Sequence, residues 1–141
     1  MIEAVLDASV VLKWFNTAGE QHVAQAQQLR ASFERGELLV IVPALLFLEL
    51  LSTGARRWKW DGPRLEGWAQ LLTRFGFEVR EPPLAVVARW AGRGLTAYDA
   101  CYLALAEERN TTVITADERM LALGGRHATS LERVGNDGGL I

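Results

Sequence analysis

Apolar residues gather in this chain into short compact runs that end on acidic or proline residues. Ile2 to Leu6 stops at Asp7, Leu38 to Val42 stops at Pro43, and the β-branched run Thr112 to Thr115 stops at Ala116-Asp117. Runs of this kind fit strands covered on both faces, as in a parallel sheet. Phe77 to Arg80, just ahead of Pro82-Pro83, supplies a fourth candidate strand and Ala128 to Leu131 a fifth.

Helical patterns fill the intervals. Glu20 to Arg35 brings Val23, Ala26, Leu29 and Phe33 near helical spacing. Pro43 to Arg57 opens on proline at a first helical position and is apolar nearly all round, which predicts a buried helix. Pro63 to Phe75, Leu84 to Ala91 and Ala97 to Arg109 predict three more, and Glu118 to Leu123 a short last one stopped by Gly124-Gly125. Strands separated by helices predict an α/β fold with right-handed crossovers, a three-layer α/β/α sandwich on a parallel sheet of four or five strands. Residues 1–134 read as a single domain and residues 135–141 as a short flexible tail.

Composition narrows the class. A length of 141 residues, half of them apolar and 23% charged, suits one globular domain with a real core. A formal charge of −2 gives no overall attraction to nucleic acid, so polyanion binding would need a local basic patch, a metal or both. The single cysteine, Cys101, forbids an internal disulfide and fits a reducing cytoplasm. In the helix of Asp99 it reads as a small buried filler rather than a nucleophile. The N-terminus carries Glu3 and Asp7 and lacks the basic start of a signal peptide. The longest apolar stretch, Leu38 to Leu48, is broken by Pro43 and too short to span a bilayer. A cytoplasmic protein with no membrane partner is the expectation. Gly92-Arg93-Gly94 lacks a P-loop ending and no dinucleotide-binding glycine pattern follows the first run, so a nucleotide cofactor is not expected.

Four acids stand out: Asp7, Glu49, Asp99 and Asp117. In an open α/β sheet, ligands bind beyond the carboxyl ends of the strands. Asp7 and Asp117 follow strands, Glu49 lies two turns into the helix after the second strand, and Asp99 opens a helix, so all four can meet at one sheet edge. Each also has a structural use. Asp7 and Asp117 suit helix N-caps, and Asp99 stands at capping-box spacing from Thr96. Glu49, inside Leu45-Leu46-Phe47-Leu48-Glu49-Leu50-Leu51, has no polar face and calls for a cation or a basic partner. Gathered together, the four form a carboxylate cage of the kind closed by a hard divalent cation.

These residues lie in motifs that resemble those of PIN-domain ribonucleases, in particular the VapC-type toxins of toxin–antitoxin pairs. The first motif is Val5-Leu6-Asp7-Ala8-Ser9, and the second is Pro43 with Leu48-Glu49-Leu50. The third is Leu95-Thr96-Ala97-Tyr98-Asp99-Ala100 with Tyr102-Leu103-Ala104, and the fourth is Ile114-Thr115-Ala116-Asp117. The resemblance runs from Ile2 to about Val134. It implies a metal-dependent endoribonuclease using Mg²⁺ or Mn²⁺, with Asp7, Glu49, Asp99 and Asp117 as metal-binding and catalytic residues and Ser9 and Thr115 as accessory hydroxyls. It also implies an RNA substrate, a cognate antitoxin covering the active-site groove, and a homodimer. Where some members carry a fifth acid this chain has Met120, with Glu118 nearby.

Arg56, Arg57, Lys59 and Arg64 follow the second helix, where they could track a phosphate backbone or simply solvate a helix end. Arg89 and Arg93 are further candidates for phosphate contact. Trp58 and Trp60 alternate with basic residues, which suits base stacking, a protein contact or core packing. Trp14 and Trp68 are expected in the core or an interface, Trp90 on its own helix, and His22 and His127 on the surface. Two other functional classes compete: a catalytically inactive PIN-like protein- or RNA-binding module, and a receiver-type phosphoacceptor domain. The second fits poorly, because no lysine follows Lys59.

Overall fold

The computed structural model describes residues 1–135, so the tail predicted for 135–141 lies outside the described residues beyond its first position. Five strands, β1 (Ile2–Leu6), β2 (Leu38–Val42), β3 (Glu78–Val79), β4 (Val113–Thr115) and β5 (Ala128–Ser130), form a sheet in the order β3-β2-β1-β4-β5. Every neighbouring pair is parallel, and Val5 of β1 lies opposite both Ile41 and Val113. The central strands are buried through most of their length because their side chains are apolar on both faces.

Seven α-helices are found among the described residues: α1 (Ala8–Val11), α2 (Val23–Glu34), α3 (Leu45–Arg56), α4 (Gly62–Thr73), α5 (Leu84–Ala91), α6 (Ala97–Glu108) and α7 (Glu118–Leu123). They cover the sheet as the outer layers of an α/β/α sandwich, with α2 against β2 and α6 against β1 and β4. The sheet order reverses direction between β1 and β4. Such a switch point opens a crevice at the carboxyl ends of the two strands. A receiver-type order, 2-1-3-4-5, is excluded by the same topology.

Local chemistry sets most element boundaries. Asp61 accepts the Arg64 amide at 3.0 Å to start α4, Thr96 accepts that of Asp99 at 3.1 Å to start α6, and Asp117 accepts that of Met120 at 2.9 Å to start α7. Pro43 stands outside α3, which begins at Leu45 behind Ala44, so the proline precedes the first turn instead of opening it. The pattern did not predict α1 and the 3₁₀ turn Leu12–Trp14 that continues it. That turn is pinned by Trp14, whose Nε1 donates to the Ala26 carbonyl at 2.8 Å and whose own carbonyl accepts from Arg30 at 2.6 Å. Its ring stacks on Phe33 and Phe75 at centroid distances of 5.8 and 6.1 Å.

Several expectations of burial and packing are corrected. Helix α3 is not buried all round: Leu46, Leu50 and Gly54 face the core, whereas Leu48 is 65% exposed. His127 is buried, because its Nδ1 lies 3.1 Å from the Thr111 carbonyl and its ring meets Trp90 edge-on. Trp90 packs across to α6 rather than along its own helix, donating Nε1 to Glu107 at 3.0 Å. Cys101 is only half-buried, and burial pushes its thiol above the ordinary range. His22 is half-buried ahead of α2, in a left-handed conformation with φ of 56°. Among the described residues no helix is long and apolar enough to cross a membrane.

Candidate active site

Asp7 stands at the carboxyl end of β1 on one side of the switch point, and Thr115 and Asp117 stand at the end of β4 on the other. Asp7 is 4% exposed. Its Oδ1 accepts the Ser9 hydroxyl at 2.6 Å and its Oδ2 the Thr115 hydroxyl at 2.5 Å. The same two hydroxyl oxygens accept backbone amides, Ser9 from Ala116 at 3.0 Å and Thr115 from Asp117 at 2.9 Å. Both predicted accessory hydroxyls thus stitch the ends of β1 and β4 together and fix the orientation of Asp7. Asp7 holds the N-cap position of α1, but its carboxyl is committed chiefly to these two hydroxyls, while Asp117 caps α7 through its side chain.

Glu49 reaches the same place from α3 and Asp99 from the first turn of α6. Asp7, Glu49, Asp99 and Asp117 line one cavity of about 280 Å³, together with Ser9, Tyr102, Lys13, Glu20 and Arg57. Within the chain, Glu49's hydrogen-bond partner is a tyrosine rather than a base. The buried Tyr102 hydroxyl donates to its Oε1 through a short hydrogen bond, linking residues 53 apart in the chain.

Electrostatics in the cavity follow from crowding and desolvation. Burial pushes the Asp7 carboxyl up to about 6, with bonds from Ser9, Thr115 and the Val10 amide opposing the rise and the Asp117 charge adding to it. Burial and the Asp99 charge raise Glu49 against the Tyr102 bond. Asp99 is raised by burial and Asp117, opposed by Thr96 and Arg119. Tyr102 is pushed far upward by burial and by the Glu49 charge, so it remains a neutral hydrogen-bond donor and cannot act as a base.

The donor set is all carboxylate oxygen, the chemistry that a hard divalent cation takes. Among the described residues, however, no group of three His, Cys, Asp or Glu side chains forms a ready-made metal cage. Asp7 and Asp117 are tied to local hydroxyl and amide partners and Glu49 to Tyr102. The fit to a cation is therefore one of chemistry and shared cavity rather than of preformed coordination.

The structure sorts the basic and aromatic candidates. Arg57 lines the cavity; Arg56 lines a shallow groove between α3 and α4 instead, and Lys59 is exposed in a left-handed conformation with φ of 61°. Arg64 lies over the Trp60 ring at 3.8 Å, Arg89 is paired with Glu107 at 2.7 Å, and Arg93 covers Trp90. Trp58 and Trp60 pack on each other at 4.9 Å and on the buried Trp68 at 5.6 and 5.0 Å, so their rings extend the core under α3 and α4. Sequence reasoning missed Tyr102, Lys13 and Glu20 as parts of the cavity. Only Tyr102, three residues after Asp99 and therefore near the same helical face, carried a signal.

Sheet order and site define the class: a parallel α/β protein with a carboxylate-lined cavity at its switch point. The PIN domain family model matches residues 4–125, and the chain belongs to that family. In fold it is similar to PAE2754 from Pyrobaculum aerophilum, at 25% identity over 93% of this chain and 90% of that one, with a TM-score of 0.65. It is similar also to VapC20 of Mycobacterium tuberculosis, a sarcin–ricin loop cleaving toxin, at 18% identity over 84% and 93% of the two chains and a TM-score of 0.63. FitAcB from Neisseria gonorrhoeae matches at 16% identity over 92% and 98%, with a TM-score of 0.63. No curated protein matches the chain in sequence.

Proposed function

We propose that this PIN-domain protein is a metal-dependent endoribonuclease, the toxin of a toxin–antitoxin pair. The observation that carries the reading is the convergence of Asp7, Glu49, Asp99 and Asp117 on one cavity at the sheet's switch point. The likeness to VapC20, a sarcin–ricin loop cleaving toxin, and to FitAcB agrees with it.

The four carboxylates would hold Mg²⁺ or Mn²⁺. Such a cation, when bound, supplies the Lewis acidity that makes water a nucleophile near neutral pH and stabilises a leaving 3′ oxygen. The chain's own residues set the geometry. Ser9 and Thr115 hold Asp7 with both oxygens oriented, Tyr102 holds Glu49, and the α7 N-terminus holds Asp117. Neither histidine lines the cavity, so acid–base work through imidazole is no part of the reaction.

Leu48 and Tyr98, both exposed, line an apolar groove that shares Ala8 and Glu49 with the active-site cavity. We assign this groove to the antitoxin, since large exposed apolar side chains beside a site mark a protein contact. The homodimer is tested separately, by light scattering of the purified protein.

Purified protein incubated with a mixed tRNA and rRNA pool, in Mn²⁺, Mg²⁺ or chelator, tests the reaction. Discrete products that require the cation and vanish in Glu49→Gln are expected. A folded protein that leaves every RNA intact under all three conditions would overturn the nuclease reading in favour of a binding module.

A further inference from the structure

The cavity holds a second charged group besides the four acids. Lys13, on the 3₁₀ turn after α1, is 6% exposed, and its Nζ lies 2.8 Å from Glu20 Oε1. Arg57, at the C-terminal end of α3, places Nη2 2.7 Å from Glu20 Oε2. All three line the cavity of the four carboxylates. Burial acts to raise the Glu20 carboxyl, but hydrogen bonds and charge from Lys13 and Arg57 outweigh it and hold the group below the usual range. Glu20 is therefore an ionised bridge between two cations.

A bridge made only for stability needs no place in this cavity. Five acids and two bases line it, so a phosphodiester entering meets mostly negative charge and requires a directed cationic contact. Arg57 can give one: it is 61% exposed, and a guanidinium with five donors can keep Glu20 and still bind a phosphate through its planar fork. Lys13 has three donors and lies against the other oxygen of the same carboxylate.

We propose that Lys13 and Arg57 form a phosphate clamp in the cavity wall, and that Glu20 is a positioning residue that sets the spacing of the two cationic groups. The clamp binds a backbone phosphate beside the scissile one. It resolves the basic cluster at the end of α3 into one contact residue, Arg57, while Arg56 and Lys59 lie outside the cavity. The inference rests on the nuclease reading, and its test separates the two.

Binding of a single-stranded RNA oligonucleotide is measured by anisotropy against salt concentration, in chelator, beside cation titration by calorimetry and cleavage in Mn²⁺. Arg57→Ala should weaken RNA binding about tenfold and reduce the salt slope by about 0.7 to 1, with Mn²⁺ affinity unchanged. Arg74→Ala, an exposed arginine beside a different hollow, should leave the slope as it is. Glu20→Ala gives the sharper result. Removing a negative charge should tighten binding of a polyanion, whereas loss of the positioning residue should weaken it, and weakening is expected. A slope unchanged by Arg57→Ala, or tighter binding by Glu20→Ala, overturns the clamp even if the wild type cleaves RNA. Clamp effects in a protein that cleaves nothing would keep the clamp and sink the nuclease.

Discussion

Asp7 shows how burial ties the protonation of one carboxylate to the stability of the fold. Its pKa rises from 3.8 to about 6 on folding in the metal-free protein. The folded state therefore holds this proton more tightly than the unfolded chain, and the stabilisation is complete below the unfolded pKa and lost as pH rises through about 6. The difference is on the order of 3 kcal/mol. Unfolding in denaturant with chelator should show stability falling from pH 4 to 7, and Asp7→Asn should flatten that fall and raise stability at pH 8. Cation affinity should run the opposite way, rising with pH as the proton is displaced. Tyr102 makes a second case. Tyr102→Phe keeps the ring and removes the bond to Glu49, which should lower cation affinity by roughly 10- to 100-fold. Stability should change by no more than about 2 kcal/mol, read from the same unfolding curves.

At the scale of elements, boundaries and packing have separate causes. Thr96 caps α6, the helix that carries Asp99, so Thr96→Ala should cost about 1 kcal/mol and loosen Asp99 with it. Gly54 lets α3 approach α4: a β-carbon there would stand 2.9 Å from the Trp68 ring and 3.1 Å from Leu65. Gly54→Ala should therefore destabilise by about 1–3 kcal/mol despite alanine's better helix propensity, seen as a lowered Tm. The apolar runs made β1, β2 and β4 legible in the sequence because strands buried over most of their length leave few polar positions, Glu3 in β1 and Thr115 in β4, to confuse the pattern. The same logic misled at α3, where an apolar residue such as Leu48 faces outward beside the cavity. Short α1 escaped the apolar pattern because four residues hold too little periodicity to register, and only Asp7 at its N-cap position hinted at it. Asp7, Glu49, Asp99 and Asp117 were legible as acids out of place. Ser9, Thr115 and Thr96 were legible beside them, but Tyr102 as the partner of Glu49 and Arg57 as the partner of Glu20 were not, since these links join residues 53 and 37 apart. The burial of His127 likewise depends on a backbone carbonyl, Thr111, that no side-chain pattern reveals.

At the scale of the molecule, the sheet order β3-β2-β1-β4-β5 explains why the site is where it is. The switch between β1 and β4 opens the crevice, two acids follow those strands, and α3 and α6 bring one acid each. The central claim is that these four carboxylates act as one site for a divalent cation. Calorimetric titration of Mn²⁺ into the wild type at pH 7.5, beside Asp7→Asn and Glu49→Gln, tests it most directly. Saturable binding with proton release in the wild type, lost in both folded variants, is the predicted result. A folded wild type that takes up no Mn²⁺, or variants that bind it as well as the wild type, would contradict the account.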